Sequence, residues 1–312
     1  MRVSVALERF LTAIRADGLS GETLAWYRKR LSRFVQYSND CEIGKIALDD
    51  LRLFVVSLQQ QDTKWAHHKY LKPVHAHLSP STIQSYVRCL KRFYNWLESE
   101  RYITTGQNAA LRLKKPKIPR QAPKEIAESD ILILLDVSLR WGRYPIRNHA
   151  MILFLAETGV RVGGLVGLRV GDIDLEKGRA VVIEKGNKSR PVYFGQECKD
   201  ALGAWLARRP QDTEYVFVGE RGHLRTDGVR LILKHLQKFA GIKGRVNPHS
   251  FRHAFAKRMS VHGGDVAFLS ALMGHSDIKV TRDSYLIYFD RELQEAHRRY
   301  ASLDGVLQQP IS

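Results

Sequence analysis

Three prolines, Pro116, Pro119 and Pro123, punctuate the stretch "LRLKKPKIPRQAPKE" at residues 111–125. Each lacks a backbone N–H and pushes the residue before it into extended backbone, so no helix or central strand runs through this point. A chain broken in this way folds as two bodies joined by a semi-extended segment. The patterns on either side set the expected boundaries: a helical domain over residues 1–105, a basic linker over 106–125, a second domain over 126–290 and a tail over 291–312.

Upstream of the break, helix follows helix. "VSVALERFLTAIRA" repeats apolar residues at Val3, Leu7, Phe10, Leu11 and Ile14, and Asp17-Gly18 ends it. Ser20 caps a second helix whose apolar face holds Leu24, Tyr27, Leu31, Phe34 and Val35. A third starts near Asp49. The fourth starts at Ser79 or Ser81, turns Ile83, Tyr86, Leu90, Phe93, Tyr94 and Leu97 inward, and carries Arg88, Lys91 and Arg92 on its opposite face. Residues 62–77 are basic and aromatic without a clear period, and are expected to form an extended loop or insertion able to lie along DNA.

Downstream, "SDILILLDVSLR" and "YPIRNHAMILFLAETG" read as helices, and "RAVVIEKGNKSRPVYF" alternates in strand fashion on both sides of Lys185-Gly186-Asn187-Lys188, a β-hairpin signal. Helices and short connections follow Gln196. The expected fold class is multidomain and mainly α, with a small antiparallel β-sheet in the second domain.

Charge narrows the partner. Fifty Lys and Arg against 32 Asp and Glu give a net charge of +18, a surplus that draws nucleic acid and is too large for a typical metabolic enzyme. It is uneven: residues 1–124 hold 22 basic and 10 acidic side chains, so this part is expected to be the main clamp. Candidate contacts to a phosphate backbone are Arg88, Lys91 and Arg92 on the fourth helix, Lys114, Lys115, Lys117 and Arg120 in the linker, and Lys188 and Arg190 on the hairpin. No segment approaches the roughly 20 apolar residues of a membrane span, and the first helix lacks the unbroken apolar run of a signal peptide. Cys41, Cys89 and Cys198 sit in no metal-ligand spacing. A cytoplasmic protein without disulfides and without a membrane partner is expected.

The chemistry gathers in a few short stretches. "NPHSFRHAFAKRM" at residues 247–259 sets His249 and Arg252 three apart, so on a helix both reach one ligand group from the same face. A permanently charged fork beside a titratable imidazole suits a phosphate. Arg161 follows a helix that ends at Thr158-Gly159, a place from which it can point into a cleft. Lys185 lies at the hairpin tip, Gly274-His275 closes an apolar segment, and Tyr285 follows the histidine.

Arg161 in "TGVR", Lys185 in "KGNK", His249 and Arg252 in "HSFRH", His275 in "LMGHS" and Tyr285 after "VTRDS" resemble, in order and spacing, the active-site set of the tyrosine recombinases, or phage integrase family. The resemblance covers nearly the whole chain. It implies an N-terminal helical, SAM-like core-binding domain and a C-terminal catalytic domain that together form a C-shaped clamp on double-stranded DNA. By the same resemblance, Arg161 and Arg252 would neutralise the non-bridging oxygens of the scissile phosphate. His249 would assist the tyrosine proton transfer, His275 would donate to a phosphate oxygen, and Lys185 would be the acid for the leaving 5′-oxygen. Tyr285 would be the nucleophile of a 3′-phosphotyrosyl intermediate. No cofactor, ATP or metal is implied, since two arginines stand in for the cation. The implied assembly is a homotetramer on two paired sites, built from protein that is monomeric in free solution, with a Holliday junction between strand exchanges. The tail would pack on a neighbouring subunit or close in cis. The implied location is cytoplasmic, at the nucleoid, and residues 62–77 point to a mobile element.

One position departs from the family pattern. The third residue after the first arginine is usually a carboxylate, and here it is Gly164. Its absence implies a slower or retuned site, with Glu157 as a candidate substitute and a faster cleavage expected from Gly164→Glu. It also keeps alive a DNA-binding accessory protein without chemistry. A third class, a metal-dependent nuclease, would use His249, His253, His262 and His275. Tyr288 is the alternative nucleophile and Lys188 the alternative acid, while His253 reads as a packing or supporting residue and His262 as surface.

Overall fold

The computed structural model describes residues 1–64, 74–117, 124–184, 188–262 and 265–274. The chain divides into two compact units, Met1–Arg120 and Gln121–Ser312.

The first unit holds α1 (Val3–Ala16), α2 (Gly21–Tyr37), α3 (Leu48–Gln60) and α4 (Pro80–Ser99). Serine caps set two of the starts: Ser20 Oγ accepts from the Thr23 backbone N–H and Ser79 Oγ from that of Thr82, each at 3.3 Å. Pro80 then occupies the first position of α4, where its missing N–H costs nothing. Three of the helices meet at Phe10, fully buried, whose ring stands edge-on to Tyr27, Phe93 and Trp96 with centroids 5.3, 5.5 and 5.4 Å away. Within the expected loop at residues 62–77, two short strands, β1 (Thr63–Lys64) and β2 (Val74–His75), pair antiparallel with Thr63 opposite His75. Residues 65–73 lie outside the described residues.

The segment expected as linker begins later than its composition suggests. Asn108 donates to Asn95 Oδ1 at 2.9 Å and Glu98 Oε2 at 3.0 Å, and Gln84 Nε2 donates to the Pro116 carbonyl at 2.6 Å. Ala110 and Leu113 are buried in the core of the first unit. Residues 106–117 thus lie back along α4, because two buried apolar residues and one buried amide anchor a stretch that also carries Arg112, Lys114, Lys115 and Lys117.

Cys89 and Cys198 are buried and Cys41 is half-exposed. Burial pushes the Cys89 thiol up to about 12 and also raises that of Cys198, which the nearby Glu157 charge lifts further.

The second unit contains α5 (Glu128–Ser138), α6 (Pro145–Thr158), α7 (Val162–Gly167), β3 (Ile173–Asp174), β4 (Arg179–Glu184), β5 (Lys188–Tyr193) and α8 (Gln196–Leu206). It continues with β6 (Val218–Gly219), β7 (Gly222–His223), α9 (Thr226–Phe239), α10 (Pro248–Val261) and α11 (Val266–Met273). Strands β3, β4 and β5 form an antiparallel sheet in that order, with Val182 opposite Arg190 and Glu184 opposite Lys188. Alternation sends Ala180, Val182 and Val192 into the core. Helix α6 is buried nearly all round and runs through that core, with Met151, Ile152, Phe154 and Leu155 fully buried. No helix among the described residues is long and apolar enough to cross a membrane.

Helix α6 ends in a left-handed residue, Gly159, at φ +56°, and a Cβ there would stand 2.7 Å from Phe255 Cδ1 on α10. Both the backbone conformation and the close approach demand glycine. Gly159→Ala is expected to destabilise the second unit by about 2–4 kcal/mol, from left-handed strain plus overpacking. Urea unfolding measures it, and an unshifted midpoint would refute the tight α6–α10 contact.

Candidate active site

The start of α10 is fixed before any chemistry is considered. Asn247 Oδ1 accepts from the Ser250 N–H at 3.1 Å, Ser250 Oγ accepts from the Asn247 N–H at 3.0 Å, and Pro248 fills the first helical position. His249 then falls in the first turn, exposed, and Arg252 one turn further, buried. The Arg252 guanidinium reaches across two helix ends. Nη1 donates to the Gly159 carbonyl at 2.8 Å, at the close of α6, and Nη2 donates to the Met273 carbonyl, at the close of α11. Carbonyls at a helix C-terminus carry partial negative charge and lack intrahelical donors, so an arginine answers both needs.

Arg161 is the residue just before α7, in extended backbone, with its side chain one-third exposed. Its Nη1 pairs with Glu184 Oε2, and its backbone N–H donates to Glu184 Oε1 at 3.4 Å. Glu184, the last residue of β4, is 5 % exposed at its side chain. The same carboxylate accepts from Arg190 Nη2 at 3.0 Å, while Arg190 Nη1 donates to the Leu272 carbonyl. Burial lowers the Arg190 guanidinium to about 10, so it stays cationic at neutral pH. Gly274 ends α11 at φ +63°, and a Cβ there would lie 2.7 Å from Arg190 Cδ and 3.2 Å from Glu184 Oε2. The ends of α6 and α11, the starts of α7 and α10 and the hairpin therefore converge on three guanidiniums and one carboxylate. Such a cluster keeps a positive surplus and suits an anion.

His249 and His253 stand 6.0 Å apart, one turn along α10, with rings nearly parallel. Partial desolvation of the half-covered ring first, then the positive charges of Arg252, Arg161, Arg245 and Arg230, hold the His249 imidazole below its ordinary value. His253 is lowered by burial, then by His249 and Arg252. Both rings are therefore neutral at pH 7, the state in which a ring nitrogen can accept a proton. The sign of the pH dependence follows: a base whose folded pKa lies below its unfolded value of about 6.5 binds fewer protons when folded. Its contribution to stability is intact above about 6.5 and is lost as the pH falls towards the folded value. The melting temperature of the wild type should accordingly drop more between pH 7.5 and 5.5 than that of a His249→Gln/His253→Gln variant. Equal drops would refute depressed values for this pair.

Other candidates from the sequence fall into four groups. Arg88 and Arg92 are exposed on α4, Lys114, Lys115 and Lys117 are exposed beyond it, and Lys188 is exposed at the start of β5. Lys91, half-exposed, donates from Nζ to the Leu111 carbonyl at 3.0 Å. Arg190, expected as a phosphate contact, instead points inward with its side chain 10 % exposed, because it shares the inward alternation of Val192. Lys185, His275, Tyr285 and Arg120, with the tail at 291–312, lie outside the described residues.

Three expectations are corrected. Glu157 does not stand in for an acid at position 164: its Oε2 accepts from the Gly195 N–H at 2.6 Å. Gly164 is buried, and a Cβ on it would sit 3.0 Å from Val160 Cγ2 and 3.6 Å from Glu184 Cγ, so Gly164→Glu would crowd an existing carboxylate and is not expected to speed cleavage. Glu184 is the residue that sequence reasoning passed over. Its signal was parity, since it continues the inward series Ala180, Val182 to the tip of the strand. A shared metal site for His249 and His262 is also ruled out by geometry. They sit at opposite ends of α10, about 20 Å apart along its axis, and His262 Nδ1 is bonded to its own helix at the Arg258 carbonyl.

Residues 124–291 match the model of the phage integrase family. Over 310 residues the chain is 31 % identical to the tyrosine recombinase XerA of Pyrococcus furiosus, covering 97 % of this chain and 96 % of that protein. It is 28 % identical over 290 residues to the tyrosine recombinase XerD of Oceanobacillus iheyensis, covering 89 % of this chain and 92 % of the relative. The fold matches that of the XerH site-specific recombinase bound to its palindromic difH substrate, with a TM-score of 0.71 at 18 % identity, over 93 % of this chain and 83 % of that one. With a family match across more than half of its length and a relative this similar from end to end, the chain belongs to the phage integrase family, the tyrosine recombinases.

Proposed function

We propose that this protein is a site-specific DNA recombinase that cuts and rejoins strands through a 3′-phosphotyrosyl intermediate, with Tyr285 as nucleophile and a Holliday junction between two rounds of exchange. The observation that carries it is the convergence of Arg161, at the start of α7, with His249 and Arg252, on the first turns of α10, from two chain segments far apart in sequence. Three groups that share one small volume can hold one phosphate. Arg161 and Arg252 stabilise the charge that develops on the non-bridging oxygens, and His249, neutral at pH 7, assists removal of the Tyr285 proton. Lys185 protonates the leaving 5′-oxygen and His275 donates to a phosphate oxygen. The phosphotyrosyl bond conserves the energy of the broken phosphodiester, so ATP is not consumed. The arginines supply the positive charge for which other nucleases use a metal.

Arg88, Arg92, Lys114, Lys115, Lys117, Arg120 and Lys188 would hold the phosphate backbone of the duplex, which fixes register but reads no sequence. The working assembly would be a tetramer on two paired sites. The segment at residues 62–77 supports service to a mobile element. An accessory protein without chemistry was favoured only by the missing acid at Gly164, and a carboxylate from Glu184 meets Arg161 instead.

Covalent capture tests the proposal. The purified protein, in EDTA, is incubated with labelled duplexes tiled from the DNA on either side of its own gene and then denatured in SDS. A protein-linked DNA band is expected, at the two ends of one mobile segment. A band that needs divalent metal, or duplex binding without any band on every tile, would overturn it.

A further inference from the structure

We infer that Glu184 is a positioning residue for the Arg161 guanidinium: strand β4 delivers the carboxylate that the family pattern places on α7, and Gly164 leaves the room for it. The inference rests on the proposed role of Arg161 at the phosphate.

Arg161 has a long, flexible side chain at the start of a six-residue helix, and its side chain is one-third exposed. An arginine so placed samples many rotamers unless something fixes its plane. Glu184 does this from below. Its side chain is 5 % exposed, one oxygen meets Arg161 Nη1, and the other accepts from the Arg161 backbone N–H at 3.4 Å and from Arg190 Nη2 at 3.0 Å. Arg190, itself held by the Leu272 carbonyl, keeps the carboxylate from swinging away. Because the acid is buried behind the arginine, it organises the cation without standing where the DNA phosphate must come.

The glycine is the other half of the arrangement. Position 164 faces the same spot, since a Cβ there would lie 3.5 Å from Val182 Cβ and 3.6 Å from Glu184 Cγ. A glutamate at 164 would bring a second carboxylate against the first, and two carboxylates in one small site cannot both stay ionised cheaply. One acid fits, from either address. Gly164 is thus the complement of Glu184, and the site is not missing its acid.

The test uses the full chain and two readouts. The first is the rate of covalent capture at saturating duplex, alongside duplex affinity. The second needs no DNA chemistry: the NMR signals of the Arg161 guanidinium, assigned by their absence in Arg161→Lys, report whether the group is held or rotates freely. Glu184→Gln is expected to slow capture about tenfold to a hundredfold with affinity changed less than about twofold, and to release the Arg161 signals into rapid rotation. Glu184→Asp, which keeps the charge, should recover part of the rate. Gly164→Glu alone should also be slow, while Gly164→Glu/Glu184→Ala should exceed both parent single variants, a rescue that a merely structural role for the strand residue would not give. An unchanged rate and unchanged signals in Glu184→Gln would overturn the inference, as would a variant faster than the wild type. If the wild type itself gives no adduct, the recombinase proposal falls, and the NMR signals alone decide whether Glu184 holds Arg161.

Discussion

Tyr285→Phe should abolish the covalent protein–DNA adduct while leaving duplex binding nearly intact. The substitution removes one oxygen atom, the atom proposed to form the bond to phosphorus. Loss of a nucleophile typically costs at least about a thousandfold in rate, so the band should fall below detection. Binding is proposed to rest on many phosphate contacts spread over a chain of net charge +18, and one hydroxyl would add about 1 kcal/mol at most to that grip. Tyr288→Phe is the matched control, since it removes the same atom three residues away. Retained capture in Tyr285→Phe with loss in Tyr288→Phe would move the nucleophile, and retention in both would end the phosphotyrosyl mechanism.

Arg252→Ala should be damaging twice over. The guanidinium is buried and donates to the Gly159 and Met273 carbonyls, so truncation removes two charge-assisted hydrogen bonds and leaves two helix-end carbonyls without these donors. That amounts to about 3–5 kcal/mol, or a melting temperature lower by about 10 °C for a unit of this size. Capture should fall by a further hundredfold or more, measured well below the melting point, if Arg252 also stabilises charge on the phosphate. Arg252→Lys keeps the charge but its single ammonium lacks the planar fork that reaches both carbonyls, so it should recover activity in part and stability little. A wild-type melting curve for Arg252→Ala would refute the structural tie, and wild-type capture would refute the chemical one.

How much of this was legible in the sequence depended on range. Caps and apolar periods are local, so Ser20, Ser79 and the faces of α2 and α4 could be read directly. The His249/Arg252 pair was legible as two residues on one helix. What could not be read was depth: the pair shares a face in projection, yet His249 is exposed and Arg252 is buried against the ends of two other helices. Glu184 needed two facts that single segments do not carry, the inward parity of β4 and the packing of β4 against α7. Without the second, Gly164 looks like a loss. Residues 106–117 misled through composition, because a basic, proline-bearing run hides the two apolar residues and the asparagine that pin it to α4. Family resemblance carried Lys185, His275 and Tyr285, which local physical patterns alone would have left among many equivalent residues.

The uneven burial of the three cysteines has a practical consequence. Thiolates, not thiols, react with maleimides, and Cys89 and Cys198 are both buried and held far from ionisation. Cys41, half-exposed, is left as the one native handle among them. The unaltered chain therefore accepts a single dye at a known residue, and counting bleaching steps on one DNA molecule counts protomers directly.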